Sequence, residues 1–193
     1  MIRRRFLVQS GLLAAGAVSG AFLWDARRDA VGQQTGSKAT GADARVKELK
    51  LEFPPASPAI ATFVPAVLSG NLLFVSGHIS RKPDGTPLTG KLGADLDVAQ
   101  GAAAARSCAL GVLGSARAAL GSLDQIHRLV KVLGMVNATA EFADHPKVIN
   151  GFSDLLVEIF GAERGKGARS AVGMSSLPLG AAVEVEAIFE VAK

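Results

Sequence analysis

The chain has no tyrosine, one tryptophan (Trp24) and one cysteine (Cys108) among 193 residues. A lone cysteine excludes an internal disulfide and a cysteine-clustered zinc site. The missing tyrosines remove most of the aromatic platforms on which single-stranded RNA bases stack. Three histidines occur, His78, His127 and His145, and they have no metal-ligand spacing, so no metal site is expected. Net charge beyond the first residues is small as well. The net charge is +4, but Arg3, Arg4 and Arg5 supply three of those charges, and the chain beyond Trp24 keeps only +1. Such a surface exerts no general pull on nucleic acid, and no nucleic-acid partner is expected. What is present is a globular composition, 49% apolar and 20% charged, with length for one domain and a remainder.

That remainder lies at the start. Arg3-Arg4-Arg5-Phe6-Leu7-Val8 followed by a run rich in Gly and Ala reads as a twin-arginine export leader over residues 1–24. Phe6 to Trp24 is 19 residues without a charge, close to a bilayer span, but three glycines, two serines and a glutamine make it a poor permanent anchor. A periplasmic location is expected, with membrane contact only through an uncleaved leader. Residues 25–48, rich in small and charged residues without a period, read as a disordered tether. Residues 49–193 form the domain.

Within it, Leu49–Phe53 alternates like a short edge strand. Val64–Leu68 and Leu72–Gly77 flank Gly70-Asn71, which suits a tight hairpin turn. A short strand is expected at Leu88–Lys91. Asp95 or Asp97 caps an alanine-rich helix to about Leu120, which Gly121 ends. Ile126–Val136 reads as a strand buried on both faces. Asp144 and Pro146 open a second helix that Gly161 closes, with Val148, Phe152, Leu155, Leu156, Ile159 and Phe160 as its apolar stripe. Ala168–Met174 and Ala181–Val191 complete the set. The fold class is α+β, a mixed sheet with two helices on one face. The other face is bare, and on so small a domain it calls for a partner, most simply further copies of the chain. Cys108, in the middle of the first helix and followed by Ala109 and Leu110, reads as a core thiol.

The last strand alternates strictly. Val183, Val185, Ala187, Phe189 and Val191 share one parity; Glu184, Glu186 and Glu190 share the other. A symmetric hairpin about Ser176–Leu177 would set Arg169 opposite Glu184, about 5 Å apart between Cβ atoms. Such a pair is either a surface bridge worth at most about 1 kcal/mol, or a guanidinium that clamps a substrate carboxylate beside an acid/base group.

Several stretches resemble the reactive-intermediate deaminase (RidA/YjgF) family, also called the L-PSP endoribonuclease or chorismate-mutase-like family. They are Ala59-Ile60-Ala61-Thr62-Phe63-Val64 before Gly70-Asn71-Leu72-Leu73-Phe74-Val75-Ser76-Gly77, then Val148-Ile149-Asn150, Ala168-Arg169-Ser170-Ala171-Val172, Leu177-Pro178 and Val183-Glu184-Val185-Glu186-Ala187. The resemblance implies a barrel-like homotrimer with a cleft at each interface. It implies cofactor-free hydrolysis of 2-imino or enamino acids to 2-keto acids and ammonia. By the same resemblance Arg169 holds the substrate carboxylate and Glu184 handles the attacking water or its proton, the two catalytic candidates. Ser76, Gly77 and Asn150 match pocket residues. Two substrate-binding positions depart from the family pattern: Phe63 stands where a tyrosine is frequent, and Ala171 where cysteine or threonine is. A non-catalytic trimeric ligand-binding protein of the same family is the alternative, and an endoribonuclease a more distant one.

Overall fold

A computed structural model describes residues 41–54 and 62–192. The leader of residues 1–24 lies outside the described residues, as does the tether up to residue 40. Helix α1 (Ala42–Glu48) is followed by strands β1 (Ala66–Ser69) and β2 (Leu72–Ile79), helix α2 (Val98–Leu120), strand β3 (Ile126–Asn137), helix α3 (His145–Gly165), and strands β4 (Ala168–Met174) and β5 (Val183–Val191). The fold is α+β. The five strands make one mixed sheet in the order β1-β2-β5-β3-β4, antiparallel except for the parallel pair β3–β4.

Helix α1 corrects the expected boundary of the tether at residue 48 and adds a third helix to the expected two. Its Ala42 and Val46 are buried in the core. Asp43 ties it down: Oδ2 accepts from Ser122 Oγ at 2.6 Å and from the Leu123 amide at 3.2 Å, while Oδ1 lies 3.3 Å from Arg117 Nε. Leu49–Phe53 forms no strand. Leu49 closes α1 in a turn, and Leu49, Leu51 and Phe53 pack on the core. Residues 88–91 hold only an isolated bridge, Thr89 to Ala181.

The capping reading holds at α2. Asp97 accepts from the Gln100 amide at 2.8 Å, the Gln100 side chain answers to the Asp97 amide at 2.9 Å, and Gly121 ends the helix at φ 82°. Asp144 precedes α3 without a side-chain cap bond, and Gly161 (φ 79°) breaks α3 four residues before its end. The two long helices touch closely because their facing residues are small. A Cβ at Gly151 would collide with the carbonyl of Ala102. A Cβ at Gly134 on β3 would lie 2.6 Å from the Ile149 side chain.

The expected hairpin between the last two strands does not form. β5 enters between β2 and β3, and β4 pairs in parallel with β3 at the edge. Composition explains the exchange. β5 buries Val183, Val185, Ala187, Phe189 and Val191 and takes the better-covered central position. β4, rich in Ala, Ser and Gly and carrying one Arg, is largely exposed and suits an edge. The link 175–182, with a 3-10 turn at Pro178–Gly180, crosses the end of β3 where a symmetric turn would have had to be tight. Helices α2 and α3 cover one sheet face, and α1 packs against α3. On the opposite face Val67, Phe74, Val172 and Met174 are exposed apolar side chains.

Candidate functional site

The alternation of β5 sends Glu184 and Glu186 to the uncovered face. Glu184 is paired with Met135 on one side and Ile79 on the other. Beside it β2 carries a bulge, where Ser76 and Gly77 together oppose Glu186. Gly77 sits directly against the Glu184 carboxylate, and any side chain at that position would collide with Oε1. Ser76 Oγ donates to the Val64 carbonyl at 2.7 Å, which draws the segment holding the exposed Phe63 toward the same edge. Partial burial pushes the Glu184 carboxyl above the ordinary glutamate range, and the like charge of Glu186 adds to the effect.

Arg169 lies elsewhere. On β4 it pairs with Val132, whose side chain faces the helices. Its guanidinium reaches α3: Nη1 donates to Asn150 Oδ1 and to Ser153 Oγ, both at 3.0 Å, and Nη2 to the Pro146 carbonyl at 3.4 Å. All three acceptors are neutral. Among the described residues no carboxylate pairs with Arg169. The Nε–H and one Nη2–H make none of these bonds, and an Nε/Nη2 edge is the fork that fits a carboxylate in two parallel bonds. Ala171, two residues along the strand, packs against the core on the same side.

The seven candidate residues therefore fall into two groups. Glu184, Ser76, Gly77 and Phe63 gather around the β2 bulge. Arg169, Asn150 and Ala171 gather at the β4 edge. Within one chain Arg169 and Glu184 are not neighbours, contrary to the expected cross-strand pair, because β3 lies between their strands and they face opposite sides of the sheet. One contributor was missed in the sequence. Ser153 stands three residues after Asn150, so both meet Arg169 from one helix face. His78 follows the bulge and bonds to it from behind.

A family model described as "YjgF/chorismate mutase-like, putative endoribonuclease" matches residues 43–191. The chain belongs to the YjgF/chorismate mutase-like family. The match begins inside α1, in agreement with the packing of that helix on the core. Protein TCP17 of Trypanosoma cruzi is 45% identical over 147 residues, covering 76% of this chain and 92% of that protein. The crystal structure of Atu1372 from Agrobacterium tumefaciens, a protein of unknown function, is 41% identical with a TM-score of 0.71, covering 79% of this chain and 94% of that one. A Shewanella oneidensis protein described as a "putative endoribonuclease" is 30% identical with a TM-score of 0.74, covering 78% of this chain and 99% of that one. The RidA/YjgF resemblance of the sequence and its fold class agree with these likenesses.

Proposed function

We propose that the chain is a cofactor-independent deaminase that hydrolyses reactive 2-imino and enamino acids to 2-keto acids and ammonia. The observation that carries this reading is the pair of half-sites. One is an arginine positioned by neutral acceptors with a carboxylate-sized fork to spare. The other is a glutamate of raised proton affinity on an uncovered face. Neither is complete alone. A homotrimer that covers the apolar sheet face would bring the Arg169 edge of one copy to the Glu184 bulge of the next, and the exposed Val67, Phe74, Val172 and Met174 favour such burial.

In that cleft Arg169 binds the substrate carboxylate and orients the C=N carbon toward Glu184. Glu184 takes a proton from water as the oxygen attacks that carbon, giving a carbinolamine. It returns that proton to nitrogen and then carries the carbinolamine hydroxyl proton to nitrogen as well, so that the C–N bond breaks and ammonia leaves as the C=O bond forms. A carboxyl held above its usual range is suited to both halves of this exchange near neutral pH. An enamine enters the same path after protonation at carbon. The twin-arginine leader makes the place of action the periplasm in this reading.

The test is to generate 2-iminobutyrate or 2-iminopropionate in the presence of the purified protein and follow its decay. Acceleration over buffer that falls with Arg169→Ala at low substrate concentration supports the reading; decay equal to buffer in the parent protein refutes it. Phe63, which brings no hydroxyl to the site, favours one second reading, a trimeric protein that binds 2-keto acids without turnover. Calorimetric binding with no imine hydrolysis would select it.

A further inference from the structure

The β2 bulge that supports Glu184 is itself held from the other side of the sheet. His78 pairs with Val185, whose side chain is in the core, so its ring enters the helix layer while Gly77 faces Glu184. Nδ1 lies 2.7 Å from the Ser76 carbonyl oxygen and Nε2 lies 2.8 Å from Ser115 Oγ on α2. The first contact fixes the tautomer. A carbonyl can only accept, so Nδ1 carries the proton, and Nε2 then accepts from the Ser115 hydroxyl. The ring fits because α2 has glycine beneath it. A Cβ at Gly111 would stand 2.8 Å from His78 Cδ2. Ser76 is thereby held three ways: its amide donates to the Pro65 carbonyl at 2.9 Å, its hydroxyl to the Val64 carbonyl, and its own carbonyl accepts from His78.

We propose that His78 is a positioning residue for the Glu184 half-site, locking the Ser76–Gly77 bulge onto α2 so that Gly77 stays pressed against the Glu184 carboxylate. A bulge is a break in the ladder, and these two residues oppose a single residue of β5. Without the imidazole the Ser76 carbonyl loses its donor and the bulge loses its tie to α2. The carboxylate is then freer to turn and to hydrate. Burial of the ring lowers its proton affinity, with Arg81 adding to the effect, which keeps it in the neutral form that this arrangement needs. The charged groups around the assembly are few. Arg81 acts on the ring, Glu186 acts on Glu184, and α2 meets the ring with Gly111 and Ser115, with the Cys108 thiol buried behind β5.

The inference builds on the role given to Glu184 above, but its test has a readout of its own. The full-length protein is labelled at glutamate side-chain carboxyl carbons, and the Glu184 signal is assigned by its loss in Glu184→Gln. In His78→Ala that carboxyl is expected to titrate closer to an ordinary glutamate than in the parent protein. His78→Asn, whose amide nitrogen can stand in for Nδ1 toward the Ser76 carbonyl, is expected to restore the parent titration; His78→Gln, whose amide sits at the Nε2 position, is not. Where imine hydrolysis is measured, kcat falls roughly 10- to 100-fold in His78→Ala with KM nearly unchanged, since Arg169 is untouched. A folded His78→Ala protein with the parent Glu184 titration overturns the proposal, as does equal rescue by Asn and Gln. If His78→Ala fails to fold, the Asn and Gln variants decide by themselves. Absence of imine hydrolysis in the parent protein would remove the deaminase reading and leave the titration result standing.

Discussion

Arg169 and Glu184 lie on opposite faces of one sheet, on strands separated by β3. Glu184 is level with Met135 and Val172, three residues along β4 from Arg169. Neither side chain reaches the other within one chain, so joint chemistry requires two copies.

Arg169→Ala is expected to raise KM for an imino acid roughly 10- to 100-fold, the equivalent of losing charge-assisted hydrogen bonds worth about 1.5–3 kcal/mol. Arg169→Lys should recover little of this, because an ammonium offers no planar fork and its three N–H groups cannot serve Asn150, Ser153 and both oxygens of a carboxylate together. Steady-state kinetics of the three proteins check both statements. Full recovery by lysine would show that charge alone is used.

Glu184→Gln should lower kcat by about 10²–10⁴-fold. The acid limb of kcat/KM should lie above the ordinary glutamate range, with activity rising as pH rises through it, because the ionised carboxylate takes the proton from water. Removing the like charge with Glu186→Gln lowers the proton affinity of Glu184, so the limb should move to lower pH. For stability the sign is opposite. A carboxyl whose folded pKa is raised favours the fold below its unfolded pKa, and that contribution is lost as pH rises through the folded pKa. Glu184→Gln should therefore be the more stable protein at neutral pH, and its advantage should vanish in acid. Paired pH–rate profiles and pH-dependent melting test this.

The contact between α2 and α3 leaves no room for one methyl group at Gly151. Gly151→Ala is expected to destabilise the fold by about 1–3 kcal/mol through displacement of backbone, although alanine is the better helix former. By contrast Arg106→Ala, which removes an exposed 2.9 Å bridge to Glu158, should cost at most about 1 kcal/mol. Denaturant titrations of the two variants should rank them in that order.

Asp43→Ala should release α1, since it leaves Ser122 Oγ and the Leu123 amide without their acceptor. The expected cost is about 1–3 kcal/mol. Hydrogen exchange should show α1 amides losing protection before those of β5.

Local signals carried much of this fold. The Gly70-Asn71 turn, the Asp97 cap and the strict alternation of β5 each depend on residues near in sequence, and each stands where the sequence places it. The pairing of β4 was not legible in that way. Parity tells which face a side chain takes only once the neighbouring strand is known, and insertion of β5 between β2 and β3 put Arg169 and Glu184 on different faces. α1 escaped notice because its burial rests on distant partners: Asp43 meets Ser122, and Arg45 donates to the Glu158 carbonyl at 3.1 Å. Asn150 was recognised through the family motif. Ser153 required the position of the Arg169 side chain.

The central claim is that each site is shared between copies, and subunit complementation tests it most directly. Arg169→Ala and Glu184→Gln proteins are unfolded together, refolded as mixed oligomers and assayed for imine hydrolysis at a low imino acid concentration, where each alone is strongly impaired. Mixed assemblies should regain activity, because some interfaces then join an intact Arg169 to an intact Glu184. Mixed oligomers that form and stay as impaired as their parents would contradict the account.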